Sequence, residues 1–123
     1  MKKTIFNGTY LREEFVKYNR DYFSADGYDA LVNFYDEIDE DMEVDVIAIC
    51  CECTEYSDYA TCNLDALIGN YGYLYTKEEY LSENDVTSDD FDRDDYISEL
   101  INHLEDKTTV LRLKNGGYII FSF

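Results

Sequence analysis

From Asp21 to Thr76 the chain carries fourteen Asp and Glu residues and neither a lysine nor an arginine, so a large part of any folded surface must be uniformly negative. A second acidic block, Glu78 to Asp106, sets twelve carboxylates against Arg93 alone, whereas the two ends, Met1 to Arg20 and Lys107 to Phe123, each come out at +3. The net charge of −18 is therefore segregated along the chain. A domain of this size needs a charge magnitude of only about 2 to 8 to stay dispersed, and self-repulsion works against the compact state. Selection for something other than folding is expected, and a cationic partner is the simplest candidate.

The chain nevertheless reads as folded. Its 46% apolar content, with thirteen Tyr and seven Phe, lies above the low-hydrophobicity regime in which acidic sequences stay disordered. The 123 residues suit one domain with one core, residues 1–123, and no proline, Ser/Gly linker or internal repeat suggests a boundary. The longest apolar run, Val46 to Cys51, is a third of a membrane span, and no signal pattern opens the sequence, so an intracellular protein is expected.

Leu11, Phe15, Tyr18 and Tyr22 recur at helical intervals, as do Tyr28, Leu31, Phe34, Tyr35 and Ile38 after Ser24, a good N-cap. Tyr18, Tyr28 and Tyr35 are expected in the core. Val44 to Cys53, β-branched and almost continuously apolar, reads as a strand covered on both faces and hence as the sheet centre. Thr109 to Lys114 and Tyr118 to Phe123 flank Asn115-Gly116-Gly117, a hairpin signal because such a turn needs positive φ. Leu111, Leu113, Ile119, Phe121 and Phe123 should face inward. Asp92 to Glu105 predicts a helix that packs on the sheet, and Asn63 to Tyr71 and Lys77 to Leu81 predict shorter ones, separated by the Tyr71, Tyr73, Tyr75 alternation. The expected fold is α+β: a small antiparallel sheet of about three strands, the C-terminal hairpin plus the central strand, packed with three to five helices.

Specific chemistry is hard to place. Cys50, Cys51 and Cys53 lie in one run whose side chains, on a strand, point alternately to opposite faces, so they should not converge. With Cys62 they are expected to be reduced, small hydrophobes. A second pair of zinc ligands is missing, and His103 is the only imidazole. The best calcium-loop candidate, Asp90, Asp92, Asp94, has Asp95 where the turn needs Gly and Ile101 where a bidentate Glu belongs. No glycine-rich phosphate loop, Gly-x-Ser-x-Gly elbow or His-Glu-x-x-His element is present. Neither catalysis nor a cofactor is expected, although a Cys–His or metal-dependent enzyme using His103 is the rival reading.

The charge is the remaining signal. Duplex DNA carries one negative charge per ~1.7 Å of axis, so eighteen charges match about 31 Å of duplex. A globule of this length has a radius of gyration near ~14 Å and a diameter of about 35 Å, so its charge per unit length rivals DNA. Carboxylates one helical turn apart lie about 5–6 Å from each other, and tyrosines among them add cation–π contact for Arg and Lys. The expected contact residues are Asp36, Glu37, Asp39, Glu40, Asp41, Glu43 and Asp45; then Glu52, Glu55, Tyr56, Asp58 and Tyr59; then Asp85, Asp89, Asp90, Asp92, Asp94 and Asp95.

The run Ile47-Ala48-Ile49-Cys50-Cys51-Glu52-Cys53-Thr54-Glu55-Tyr56, followed by Thr108-Thr109-Val110 and Asn115-Gly116-Gly117-Tyr118-Ile119-Ile120, resembles a group of small acidic proteins encoded by bacteriophages and integrated elements. In that group a helix like Ala30-Leu31-Val32-Asn33-Phe34-Tyr35 precedes the Cys-Cys-Glu strand. The resemblance covers both ends and the strand but not Ser57 to Ser88, which is longer here, and Cys53 stands where an aromatic residue is expected. It leaves Glu52, Glu55 and Tyr56 available for contact. It implies a host bacterial cytoplasm and, by analogy with anti-CRISPR and anti-restriction inhibitors, a nucleic-acid mimic. The partner would be a host nucleic-acid-binding protein, a CRISPR effector or restriction enzyme, with no direct nucleic-acid or membrane binding. A phage adaptor gripping a basic host protein elsewhere is the alternative, and a homodimer would lengthen the charged track.

Overall fold

Asn7 opens the first helix, its side-chain oxygen accepting the N–H groups of Thr9 and Tyr10 at 3.0 and 3.2 Å. The computed structural model describes residues 7–38, 45–60 and 62–123. α1 (Gly8–Lys17) buries Leu11 and Phe15, and α2 (Ala25–Ile38) buries Tyr28, Leu31, Val32 and Tyr35. Ser24 caps α2 as its sequence suggests, Oγ accepting from Gly27 N at 3.1 Å and the carbonyl from Tyr28 N at 3.0 Å. Tyr18, expected in the core, is 57% exposed. α1 stops at Lys17, and Asn19 turns the chain with φ of 56°, so the apolar periodicity beyond Phe15 has no helix to carry it.

The expected strand from Val44 to Cys53 is a helix over most of its length: α3 spans Val46–Glu52, and β1 begins only at Cys53 (Cys53–Tyr56). Asp45 caps α3 by accepting from Ala48 N at 3.0 Å. Val46, Ile49 and Cys53 are buried while Ile47 is 51% exposed, a spacing of three and four rather than two. A short, wholly apolar run satisfies either period, and here the cap at its N-terminus decides. Replacing Asp45 by Ala is expected to cost about 1 kcal/mol, read as a lower urea midpoint with an unchanged m-value.

α4 (Leu64–Tyr71), capped by Asn63, leads through a 3₁₀ turn at Gly72–Leu74 into α5 (Lys77–Glu83). The Tyr71, Tyr73, Tyr75 alternation is thus a turn. A second 3₁₀ turn, Ser88–Asp90, precedes α6 (Arg93–Glu105). β2 (Val110–Arg112) and β3 (Tyr118–Phe121) form the expected hairpin. The result is an α+β fold with six α-helices and a three-stranded antiparallel sheet among the described residues, in the order β1-β3-β2. The sheet centre is therefore the C-terminal strand, and β1, expected there, lies at one edge.

β3 holds that position because both of its faces are apolar. Ile119 and Phe121 point into a cluster with Leu11, Phe15, Tyr28, Leu31 and Ile49, as do Leu111 of β2 and Leu113 just beyond it. Tyr118 and Ile120 point to the other side, where Leu67, Tyr75, Tyr96, Leu100 and Leu104 pack. Alternate residues of one strand thus serve two helical layers, α1–α3 on one face and α4–α6 on the other. Phe123, expected inward, lies past the end of β3, is 58% exposed and stacks on Tyr71 with ring centroids 5.9 Å apart. No described helix is long and apolar enough to cross a membrane.

The first layer keeps ionisable groups neutral. Burial pushes the Cys53 thiol from 9.0 up to about 12. Burial, reinforced by hydrogen bonds to Asp21 and Glu52, raises the phenols of Tyr28 and Tyr35 above the ordinary phenol range. Unfolding returns these groups to ordinary values. From about pH 9 upward the unfolded chain therefore releases protons that the folded protein retains, and stability that is complete below that pH declines until the folded-state values are passed. The Cys53 contribution is about 1.4 kcal/mol per pH unit inside its window. Urea titrations at a series of alkaline pH values should show this decline, and Cys53→Ala should flatten part of it.

Candidate functional site

The acids of α5, the second 3₁₀ turn and α6 form the densest charged surface that the structure describes. Thr76 starts α5 with a capping box, accepting Glu79 N at 3.2 Å while Glu79 reaches back to the Thr76 backbone. Asp92 caps α6, accepting from Asp94 N at 3.0 Å and Asp95 N at 3.3 Å. Glu78, Glu79, Asp94 and Asp95 occupy the first turns, where the helix dipole favours negative charge. Part of the acidity thus has a local structural use. Asp85, Asp89 and Asp90 are exposed on the connection between the two helices and cap no α-helix, Asp90 accepting from Thr87 Oγ1 at 3.4 Å within the 3₁₀ turn.

Buried tyrosines brace this surface from below. Tyr80 donates from its hydroxyl to Asp95 Oδ2 at 2.9 Å, and the Tyr75 hydroxyl lies 2.7 Å from Glu83 Oε2 and 2.9 Å from Glu99 Oε2. A phenol carries one hydrogen, so Tyr75 serves one of these carboxylates at a time, and Asn84 Nδ2 donates to Glu99 Oε2 at 3.2 Å. Burial and the Asp95 hydrogen bond push the Tyr80 phenol up to about 12, and burial with the two glutamates holds Tyr75 protonated far above the phenol range. These phenols therefore remain donors, turned toward the acids that crowd above them. His103 lies flat on the Tyr75 ring, centroids 4.4 Å apart and planes 19° from parallel.

Cations scarcely intrude. Among the described residues the ion pairs join Arg12 to Asp21, Lys17 to Glu14, Arg93 to Asp65 and Asp94, and Arg112 to Glu105. Lys77, the other base of this region, sits over the Phe91 ring at 4.6 Å. Of the acids expected to make contact between Asp85 and Asp95, Asp94 alone takes an ion pair within that described set. No group of three or more His, Cys, Asp or Glu side chains among the described residues is arranged to hold a metal ion.

The remaining expected contact residues do not all join this surface. Glu37, Asp45 and Glu52 are exposed, and Asp36 half-buried, in the α1–α3 layer on the opposite face of the sheet; Glu52 accepts from the Tyr35 hydroxyl at 2.9 Å. Asp39, Glu40, Asp41 and Glu43 fall outside the described residues. Asp58 shares a polar groove of about 310 Å³ with Arg93 and Asp94, beside the hairpin turn. Tyr59, 71% exposed, stands one residue further on.

Glu55 and Tyr56 are corrections. Both are expected at the surface, yet they are only 2% and 3% exposed. Tyr56 packs in the second cluster, and its hydroxyl accepts from Asn70 Nδ2 at 2.9 Å. Glu55 Oε1 accepts from Ser24 N and Ser24 Oγ, both at 3.0 Å, and Oε2 accepts from Ser57 Oγ. Ser24 Oγ in turn accepts from Asn115 Nδ2 at 3.1 Å, and Asn115 Oδ1 from Gly117 N at 2.8 Å. One carboxylate thus ties the start of α2, strand β1 and the hairpin turn together. Sequence reasoning missed this clasp, and it also missed the bracing of Glu83 and Glu99. The latter was available in outline, since Asp92, Asp95, Glu99 and His103 recur at helical intervals along one flank of α6.

No family model matches the chain, and no curated protein and no solved structure matches it either.

Proposed function

We propose that the protein is a phage-encoded anti-defence inhibitor, of the anti-CRISPR or anti-restriction kind, that acts as an acidic nucleic-acid mimic and closes the DNA- or RNA-binding groove of a host protein. The observation that carries this reading is the α5–α6 surface, where buried phenols rather than cations hold Glu83, Glu99 and Asp95, and where Asp85, Asp89, Asp90 and Asp92 are exposed along the connection between the two helices. The Glu83 and Glu99 oxygens share one hydroxyl and so lie within about 6 Å of each other, the spacing of charges one helical turn apart. A groove built to neutralise phosphates by releasing counter-ions would take such a surface for the same electrostatic reason. The phage origin rests on the sequence resemblance.

The test is capture of a partner from bacterial lysate at low and high salt, with and without excess duplex DNA or RNA, comparing the protein with an Asp85→Asn, Asp89→Asn, Asp90→Asn variant. Asn tolerates the left-handed backbone at Asp85, so the variant should keep the fold. Binding is expected to fall roughly 100-fold, at about 1 kcal/mol per neutralised charge, with a weaker salt dependence, and nucleic acid should displace the partner. Binding that survives excess nucleic acid would assign an adaptor instead. Binding indifferent to the three substitutions would remove the acidic face from the interface.

A further inference from the structure

A second feature owes nothing to the acidic face. Because Val46–Glu52 is helical, Cys50 in α3 and Cys53, which caps it, stand one turn apart, while Cys51 is exposed. Three residues along an α-helix separate Cα atoms by about 5 Å, inside the range that a disulfide spans. Cys53 takes up extended backbone, φ −148° and ψ 159°, only after that turn is complete. Both side chains line the same cavity of about 210 Å³, walled by Tyr22, Phe23 and Cys62. The Cys53 thiol points back along the helix, donating to Ile49 O at 3.4 Å. Cys50 is half-buried, so an oxidant in solution can reach it, and Cys53 is 4% exposed, so the same oxidant cannot.

We propose that Cys50 and Cys53 form a dithiol that low-molecular-weight disulfides, such as oxidised glutathione, convert to an intrachain disulfide across the α3–β1 junction. Cys50 loses its proton to water, and its thiolate attacks one sulfur of the glutathione disulfide. A Cys50–glutathione bond forms as the S–S bond breaks, and the departing glutathione thiolate takes up a proton. The small fraction of Cys53 present as thiolate, drawn on continuously during equilibration, attacks the Cys50 sulfur, closes the 50–53 bond and expels the second glutathione. Two electrons pass from the protein thiols to the oxidant, which leaves as two reduced glutathiones. Burial raises the Cys50 thiol, an effect the charge of Arg20 partly offsets, and Cys50 is assigned the first attack because it is the more exposed of the two thiols. Cys53 pairs with Phe121 in the sheet, and Glu52 O accepts from Ser122 N at 2.7 Å. The bond would therefore fix the junction of α3 with β1, where β1 pairs with β3.

The full chain is equilibrated at mildly alkaline pH in glutathione buffers of increasing oxidised fraction, acid-quenched, alkylated, and mapped by peptide mass spectrometry. The expected product has lost two hydrogens in a 50–53 crosslink, independent of protein concentration, with Cys62 still alkylated. Cys53→Ser, folded by circular dichroism, should stop at a glutathione adduct on Cys50, and Cys51→Ser should still form the crosslink. Three results would overturn the proposal: glutathione retained on Cys50 of the unaltered chain, a crosslink through Cys51 or Cys62, or both thiols alkylated at every ratio. If Cys53→Ser does not fold, the map of the unaltered chain decides alone.

Discussion

Glu55→Ala is expected to lower stability by about 4 kcal/mol, a large share of the 5–15 kcal/mol typical of a whole domain. The carboxylate is 2% exposed and accepts from Ser24 N, Ser24 Oγ and Ser57 Oγ. Truncation leaves those donors facing an apolar void, and each hydrogen bond to a charged group contributes roughly 1.5–3 kcal/mol. Two comparisons separate this from a packing effect. Glu55→Gln keeps the acceptor for Ser24 and lets the Ser57 hydroxyl rotate to accept from the new amide, so it should cost only about 1–2 kcal/mol. In a double-mutant cycle, Ser57→Ala and Glu55→Ala together should cost clearly less than the sum of the two single changes, because they share one hydrogen bond. Urea unfolding measures all four. A Glu55→Ala protein as stable as the unaltered one would show that the clasp does not hold the fold.

Gly117→Ala is the second large effect, expected at about 3 kcal/mol or more. A Cβ at Gly117 would collide with the Ser57 Cβ and stand 2.7 Å from the Tyr56 carbonyl oxygen. Both obstacles belong to the β1 side, which cannot retreat without breaking the β1–β3 ladder, where Tyr56 pairs with Tyr118. Gly116 gives the contrast. It has φ of +89° and nothing within 4 Å of a built Cβ, so Gly116→Ala meets only backbone strain and should cost about 1 kcal/mol. Adjacent glycines in one turn thus make opposite predictions, one steric and one conformational. Thermal melts of the two variants decide between them, and equal shifts would mean that the close approach of the turn to β1 is not maintained in solution.

The elements that could be read in advance are those whose signals are local. Ser24 sits where an N-cap is needed, and Asn115-Gly116-Gly117 supplies the positive φ that the hairpin turn uses at Gly116. The periodic stripes of α2 and α6 place Tyr28, Leu31, Tyr35, Leu100 and Leu104 in the core. The run before Cys53 was misread because six consecutive apolar residues, Val46 to Cys51, satisfy a helix and a strand alike. Calling it a strand then dispersed the cysteines to opposite faces, whereas the helix brings Cys50 and Cys53 to one cavity. Of the candidate contact surface, exposed acids between Asp85 and Asp95 were legible as charge, but Glu55 was not legible as interior. A buried carboxylate is unusual enough that its sequence neighbours, Thr54 and Tyr56, give no warning of the serines that satisfy it.

By itself the sequence determined the segregation of charge, the Ser24 cap, the hairpin and the α+β class, because each depends on residue type and on neighbours within a turn or two. Tertiary structure alone decided which strand is central, which acids point outward and which one is consumed as a clasp. Those outcomes depend on residues far apart in the chain, such as Ser24 with Asn115 and Ile119 and Ile120 with separate helical layers. The physical reason is that a charge or an apolar side chain fixes only its preference for water or for the interior, whereas the partner that satisfies it once buried is supplied by the packing of the whole fold.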